Sequence, residues 1–434
     1  MLSLNLEPMK RLEGHVYLFT LLAPLSVTKW NKVVLVVLFL SAALSVGYYF
    51  LLARKIKFEK YSLTTCGLFL AVFLVSLFSI VVNRDYLVTE YLRTVIIGRL
   101  FTFTALVLNL LVILMWLPSA NEKSVKKLLY YGLFTTFTFV ILGYWQLISK
   151  QLGIPFFIDT RDWMHGVPAA LRSVFPSRIT SIAEEPNFLS PILMECLILI
   201  ALLIRSKFWS VVLLGMTTII VVLSFSGGAY VNFALLCAFV FFYIFLKTAT
   251  TGKTRISHFV IMLAVVFFIG VIVYFGALFL EFIYYKLQHE ASGGSSRSQF
   301  MISFSNLIAE SSITQLIFGH GLGTMSVLDS FGMRSEDYLF RITNNYVLDM
   351  FWEGGAIGVF LIFSFFTALI LPGIKHGFLS RYYFLGALMG FQILVTSSYR
   401  SEYLSTHFTW AVLITLCIYK LAEFKRNVID WCTD

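Results

Sequence analysis

Long apolar runs alternate with short polar connections along almost the whole chain. A helix needs about 20 predominantly apolar residues to cross the hydrocarbon core of a bilayer. About twelve runs near this length predict membrane-spanning helices, and they lie near residues 14–28, 32–53, 62–82, 94–117, 125–149, 187–204, 208–224, 229–246, 257–280, 345–371, 382–398 and 404–421. The first run is the weakest, because it is short and is broken by Pro24.

Two longer polar intervals, 150–186 and 281–343, interrupt this pattern. The second is the only long stretch in which polar, glycine and charged residues displace the apolar background. Long loops have room for functional residues, whereas short connections form little more than turns. Since no internal repeat or soluble domain is visible, we predict one membrane domain over 1–434, with two long loops.

The composition supports an all-α polytopic membrane protein. The chain is 59% hydrophobic and only 13% charged, which is too apolar for the surface of a soluble globule. Its net charge of +10 is typical of cation-biased cytoplasmic loops, so we predict no nucleic-acid partner. The five cysteines lie in apolar runs or at the tail, which predicts no disulfide framework or CxxC metal site.

Lysine and arginine are concentrated in alternate connections. If the N-terminus is inside, the short outer loops contain few cations, namely Lys29, Lys32, Arg84, Arg93 and Arg400. The positive-inside rule therefore predicts cytoplasmic termini and places both long loops on the outer face.

Four ionisable residues interrupt apolar runs at similar predicted depths in the outer half of the bilayer: Arg99, Glu195, Asp349 and Glu353. Such residues cost roughly 2.5 to 3.5 kcal/mol at the bilayer centre. They either pair with one another and with polar neighbours as part of the structure, or line a polar cavity open to the outside. In such a cavity Arg99 would suit an anionic ligand, for example a lipid phosphate.

The first outer loop ends in the segment SRITSIAEEPNFLS, which begins at Ser177. Pro186 suits the first turn of a helix, and Glu184 and Glu185 then lie at that helix's N-terminus, where anions are favourable. Helix capping alone could explain both acids. The functional interpretation makes Arg178 a phosphate-binding cation and one of the two glutamates a general base.

The second outer loop carries Arg297 in GGSSRSQF, ahead of a helical pattern of apolar residues. That pattern predicts an amphipathic helix on the membrane or on the bundle, formed by Phe300, Met301, Phe304, Leu307 and Ile308. Arg297 would lie at its N-terminus and contribute to an anion site, unless it is a solvated interfacial arginine.

The segment FGHGLGT, Phe318–Thr324, has glycines at alternate positions. It predicts a tight turn, because the strand and helix of a dinucleotide site are missing. His320 within it is a candidate base or phosphate contact, although a lone histidine is more often neither. Glu402 and His407 are weaker candidates, and no cluster has convincing metal-ligand spacing.

The order of RITSIAEEPNFLS, SSRSQF, FGHGLG and TNNYVLDMFWEGGAIGVF resembles the O-antigen ligase and polymerase superfamily of polytopic glycosyltransferases. The resemblance implies a GT-C-like fold in the bacterial inner membrane, with the active site on the periplasmic face. It implies an undecaprenyl-diphosphate-linked glycan as substrate and membrane lipid as surroundings, with a chain-length regulator protein as candidate partner and neither cofactor nor metal.

The resemblance also implies roles for individual residues. Arg178 and Arg297 would hold the diphosphate, and Glu185 or Glu184 would be the base. Further substrate-binding candidates are Arg99, His320, Arg341, Asn344, Asn345, Tyr346 and Arg400.

One departure from the family pattern favours the polymerase branch. Ligases of the superfamily commonly carry a histidine just before an Asn-Tyr element, and this chain has Thr343-Asn344-Asn345-Tyr346 instead. SFSGGAY, Ser224–Tyr230, also lacks an arginine that relatives have there. A ligase acting on the lipid A core remains the alternative. A lipid-linked glycan transporter or flippase is disfavoured, because the two halves do not match and the ionisable residues lie towards the outer face.

Overall fold

The computed structural model describes residues 6–52, 58–83, 96–156, 158–162, 177–251, 284, 288, 304–324, 345–377, 380–400 and 405–430. Within these ranges the regular secondary structure is helical, and there is no strand. The α-helices include α1 (Leu6–Leu22), α2 (Asn31–Leu52), α3 (Lys60–Val82), α4 (Ile97–Trp116), α5 (Glu122–Gln151), α6 (Pro186–Leu203), α7 (Lys207–Leu223), α8 (Gly227–Thr251), α9 (Ile313–Phe318), α10 (Tyr346–Gly377), α11 (Arg381–Tyr399) and α12 (Thr406–Asp430).

Eight helices of the described part are long and apolar enough to cross a membrane: α2, α3, α4, α5, α6, α8, α10 and α12. This is the architecture of a polytopic membrane protein, as predicted. Helix α7 is apolar but shorter, and the first predicted run became α1 followed by a 3-10 helix, Ala23–Val27, that starts at the predicted Pro24 break. The run at 257–280 lies outside the described residues, so the count of twelve spans stays a prediction.

The packing divides the chain into two compact units. The first unit contains the described residues of Met1–Thr135 and Phe300–Asp434, and the second those of Thr136–Gln299. Helix α5 begins in the first unit and ends in the second. The sequence predicts one membrane domain, and the packing resolves two compact units along it.

An aromatic cluster forms the core of the first unit, where α3, α10 and α12 meet. Phe69 stacks on Phe408 with ring centroids 5.2 Å apart and contacts Phe365 at 5.1 Å. Tyr346 meets Phe408 edge to face at 5.9 Å. Tilted and edge-to-face contacts are the favourable arrangements of aromatic rings.

Glycines allow α10, α11 and α12 to approach closely. A Cβ atom on Gly373 would lie 2.5 Å from the Cβ of Ala387, and one on Gly386 would lie 2.3 Å from the ring of Tyr419. Small residues at such contacts are typical of membrane helices, where packing replaces the hydrophobic effect as the driving force for association.

Pro372 interrupts the hydrogen bonding of α10, and a tyrosine of a neighbouring helix compensates. Proline has no N–H, so the Ala368 carbonyl one turn earlier lacks its usual donor. The Tyr61 hydroxyl donates to that carbonyl at 3.0 Å, and the Tyr419 hydroxyl donates to the Leu369 carbonyl at 2.8 Å. An unsatisfied backbone carbonyl in a membrane costs several kcal/mol, so the bond from Tyr61 stabilises the helix at Pro372.

Ion pairs mark one end of the first unit, which we call the charged end. Lys420 near the end of α12 pairs with Glu59, just before α3, at 3.3 Å. Lys425 pairs with Glu122, at the start of α5, at 2.6 Å. The structure thus brings together three chain segments that the sequence predicts on one side of the membrane.

At the other end of the first unit, Asn83 directly after α3 donates to the Gly319 carbonyl at 2.8 Å. Part of the second predicted outer loop therefore lies at the end where α3 finishes. The face of the membrane that each end occupies stays a prediction.

Candidate functional site

The Arg178 segment, residues 177–185, is a non-helical stretch of the second unit that is tied to two neighbouring stretches. The backbone N–H of Arg178 donates to the Asp162 carbonyl at 3.0 Å, and that of Ile179 donates to the Leu223 carbonyl at 3.0 Å. The N–H of Arg161 donates to the Glu184 carbonyl at 2.8 Å. The backbone of the Arg178 segment is therefore hydrogen-bonded to the stretch at 161–162 and to the end of α7.

The buried amide of Gln146 adds a polar support beneath this segment. Its Oε1 accepts the N–H groups of Thr180 and Ser181 at 2.9 and 2.7 Å, and its Nε2 donates to Thr180 Oγ1 at 2.9 Å. Ser181 has a φ of 53°, which is uncommon for a residue with a side chain, and its hydroxyl donates to the Phe139 carbonyl. Such strain clusters at functional sites, and satisfied buried networks make the local structure rigid.

Arg178 is a partly buried cation on this rigid support. Its Nε donates to the Ser224 carbonyl at 3.2 Å, which orients the guanidinium plane. Burial lowers the pKa of Arg178, and the nearby Tyr230 and Glu185 act in the opposite direction. Because an arginine stays protonated in proteins, the result is an oriented, partly desolvated positive charge outside the helices.

The turn between α7 and α8 supplies the contact to Arg178. Phe225 in this turn has a φ of 45°, and the Ser226 hydroxyl donates to Asn187 Oδ1 at 2.6 Å. The structure therefore brings together two motifs that were singled out in the sequence, SRITSIAEEPNFLS and SFSGGAY. Their separation along the chain gave no indication of this contact.

The two glutamates of the segment differ in their partners. Glu185 is the N-cap residue of α6, with Pro186 in the first turn as predicted, and its carboxylate pairs with Arg161 Nη1 at 2.7 Å. Glu184 is partly buried, and within the described part of the chain its carboxylate forms no ion pair. Sequence reasoning missed Arg161, which stands in no motif.

In the first unit the segment Phe318–Thr324, which we call the glycine loop, forms the predicted turn and docks on a break in α10. The break is at Gly355, whose φ and ψ are 61° and −158°. The N–H groups of His320 and Gly321 donate to the carbonyls of Trp352 and Glu353 at 2.6 and 3.1 Å. The loop thus satisfies helix carbonyls that the break releases.

Only glycine fits at the closest points of this contact. A Cβ on Gly319 would lie 2.4 Å from the Glu353 carbonyl, and a Cβ on Gly355 would lie 2.4 Å from the Ile317 carbonyl oxygen. Glu353 also accepts the N–H of Gly323 through Oε1 at 2.8 Å, so this predicted intramembrane acid has a structural role.

His320 is buried within the glycine loop. Its ring lies 3.8 Å from that of Trp352 and 6° from parallel, and its Nε2 is 2.9 Å from Ser311 Oγ. Burial lowers the pKa of His320 to about 4, so the imidazole is neutral at pH 7. These contacts give His320 a packing role, and its predicted part in catalysis stays a prediction.

Other predicted site residues of the first unit also have structural contacts. Asn345 caps α10, because its Oδ1 accepts the N–H groups of Val347 and Leu348 at 3.0 and 3.2 Å. Tyr346 is buried in the aromatic cluster, and Arg400 is buried at the C-terminus of α11. Arg99 is partly buried in the first turn of α4. Three further candidates, Arg297, Arg341 and Asn344, lie outside the described residues.

The predicted amphipathic helix of the second outer loop is present over residues 304–309. Phe304 and Leu307 are buried against Trp352 of α10. This apolar face therefore packs on the bundle, which was one of the two predicted alternatives. Residues 300–303 lie outside the described residues.

Among the described residues, no group of three or more histidine, cysteine, aspartate or glutamate side chains is arranged to hold a metal ion. No protein-family model, no curated protein and no solved structure matches this chain.

Proposed function

We propose that this protein is a membrane glycosyltransferase that polymerises undecaprenyl-diphosphate-linked repeat units into O-antigen or a related surface polysaccharide on the outer face of the bacterial inner membrane. The observation that carries the proposal is Arg178, a partly buried guanidinium that the Ser224 carbonyl orients through Nε. A planar guanidinium fork suits the bidentate recognition of phosphate oxygens. Beneath Arg178, the Gln146 side chain accepts the N–H groups of Thr180 and Ser181 and so holds the backbone of the Arg178 segment in place.

In the proposed reaction, a hydroxyl oxygen of one lipid-linked repeat attacks the anomeric carbon of the growing glycan. The bond from that carbon to the diphosphate oxygen breaks, and the diphosphate leaves with its electron pair. Arg178 stabilises the negative charge that develops on the leaving group, an interaction that is stronger in the transition state than in the bound substrate. The resemblance implies Arg297 as a second cation with the same role.

The hydroxyl proton passes to a carboxylate, and the geometry favours Glu184 over Glu185 as this base. Glu185 is engaged in an ion pair with Arg161, which occupies one of its carboxylate oxygens. Glu184 is one residue away on the same rigid segment, and its carboxylate has no such ion pair among the described residues.

A deletion strain tests the proposal. Loss of a polymerase should leave the lipid A core capped by a single repeat unit, whereas loss of a ligase should leave bare core and glycan on the carrier lipid. A normal ladder of long chains after deletion would contradict both activities.

Complementation then tests the site. Arg178→Ala should fail to restore long chains, although the tagged protein reaches the membrane at the wild-type level. Arg205→Ala removes an exposed arginine from the connection between α6 and α7 and should restore them. Full complementation by Arg178→Ala would remove Arg178 from the mechanism.

A further inference from the structure

Glu185 acts on two arginines of the second unit. Its Oε1 lies 2.7 Å from Arg161 Nη1, and its negative charge also reaches Arg178, where it favours the protonated guanidinium. The ion pair is accessible, since the side chain of Arg161 is 71% exposed and that of Glu185 is 30% exposed. The Glu185 carboxylate is therefore paired with one guanidinium and acts electrostatically on a second.

The backbone fixes these three residues close to one another. Arg161 donates its N–H to the Glu184 carbonyl at 2.8 Å, and Arg178 donates its N–H to the Asp162 carbonyl at 3.0 Å. The hydroxyl groups of Thr160 and Thr180 lie 2.6 Å apart. The stretch at 160–162 is thus paired with the Arg178 segment, and each arginine has its backbone held.

Carboxylate and phosphate oxygens compete for the same guanidinium donors. If Glu185 paired with Arg178, an incoming anion would have to displace a carboxylate that is tethered beside it. This competition would weaken the binding of the anion, because displacing the tethered partner offsets part of the binding free energy.

We propose that Arg161 is a positioning residue that holds Glu185 away from Arg178 and thereby keeps Arg178 available to bind a diphosphate. This inference rests on the proposed function only in taking Arg178 as the diphosphate-binding cation. Arg161 does not have to touch the substrate for this role. An exposed ion pair contributes little to stability, so removing it should leave the protein folded.

The inference is tested on the purified full-length protein in detergent, with inorganic diphosphate as the probe and calorimetry at constant low ionic strength as the measurement. Arg161→Ala should raise the dissociation constant roughly five- to tenfold, a coupling of ordinary size between two sites. The double variant Arg161→Ala/Glu185→Gln should bind like Glu185→Gln alone, because the competing charge is gone. Arg161→Lys should bind nearly like the wild type.

Variants at Lys150 provide the matched control. Lys150→Ala breaks the ion pair of Lys150 with Asp162 at 2.8 Å without touching Glu185. In the double variant Lys150→Ala/Asp162→Asn no carboxylate is released, so this double variant should leave binding unchanged. If Arg161→Ala binds like the wild type, the inference is wrong. It is also wrong if the double variant binds as weakly as Arg161→Ala, since Arg161 would then contact the anion directly, or if the wild type shows no binding that depends on Arg178.

A polymerisation assay on the same variants separates this inference from the proposed function. Arg178-dependent binding with the expected rescue, but no polymer from lipid-linked repeats, would sustain the inference and overturn the proposed function. Polymer formation that needs Arg178 and is indifferent to Arg161→Ala would sustain the function and overturn the inference.

Discussion

The ring of His320 lies 3.8 Å from the ring of Trp352, and the backbone N–H of His320 donates to the carbonyl of the same tryptophan at 2.6 Å. Ring and backbone thus both attach the glycine loop to the break in α10. Trp352 in turn donates its indole N–H to Thr324 Oγ1 at 2.9 Å, which closes the loop from the other side. Contacts from the glycine loop on both sides of Trp352 therefore stabilise the helix break in the first unit.

We predict that stability decreases in acid through His320. Its pKa is about 4 in the folded protein against an ordinary 6.5, so the unfolded chain binds the additional proton between these values. The stabilisation is fully present above about pH 6.5 and is lost as the pH falls towards 4, with a total on the order of 3 kcal/mol. Thermal unfolding in detergent from pH 7.5 to 4.5 measures it. His320→Phe keeps a stacked ring and should show a smaller decrease; an equal decrease would rule out His320 as the cause.

We predict that Gly355→Ala damages the fold and that Gly354→Ala does not. Alanine at Gly355 would need a positive φ and would place its Cβ 2.4 Å from the Ile317 carbonyl oxygen, at a cost of about 2 kcal/mol or more. A Cβ on Gly354 would lie 3.5 Å from Val75 Cγ1, an ordinary contact. The midpoint of unfolding in detergent compares the two variants. Equal midpoints would mean that the break at Gly355 is not required.

We predict that Tyr61→Phe destabilises the protein by about 1 to 3 kcal/mol, because the Ala368 carbonyl loses its donor. Tyr130→Phe is the matched control, since Tyr130 is 49% exposed. In a Pro372→Ala background the alanine supplies the missing N–H, so Tyr61→Phe should cost less there. Additive effects in this double-mutant cycle would show that the hydroxyl does not compensate for the proline.

We predict that Glu184→Gln lowers the turnover number more than Glu185→Gln does. Loss of a general base costs typically 10²- to 10⁴-fold in rate. Steady-state polymerisation from a synthetic lipid-linked repeat measures the turnover numbers of both variants, at matched amounts of each protein in the membrane. A larger decrease for Glu185→Gln would exchange the roles of the two acids.

Much of the helical framework could be predicted from hydrophobic runs. The predicted run at 187–204 became Pro186–Leu203, because proline marks the first turn. The predicted run at 345–371 is the helix Tyr346–Gly377, but the hydrophobic pattern did not predict the helix break at Gly355. The pair Gly354-Gly355 was visible in the sequence as a possible helix break. The glycine loop that docks there lies about 30 residues earlier in the chain, and no local pattern relates the two segments.

The contacts of the candidate site were less predictable. The motif predicted Arg178 and the two glutamates as candidates, and the helix start at Pro186 beside the glutamates was predictable because helix starts have a local signature. The ion pair of Arg161 with Glu185 joins residues 24 positions apart in non-helical segments, where no periodicity relates them. The contact of Arg178 with Ser224 likewise depends on tertiary packing of the segment against the turn between α7 and α8.

The most direct test of the proposed function is polymerisation by the purified protein in liposomes, without an ion gradient. We expect a ladder of polymers from undecaprenyl-diphosphate-linked repeats with the wild type and with Arg205→Ala, and no ladder with Arg178→Ala. Absence of polymer from the correctly inserted wild type, or an undiminished ladder from Arg178→Ala, would contradict the account.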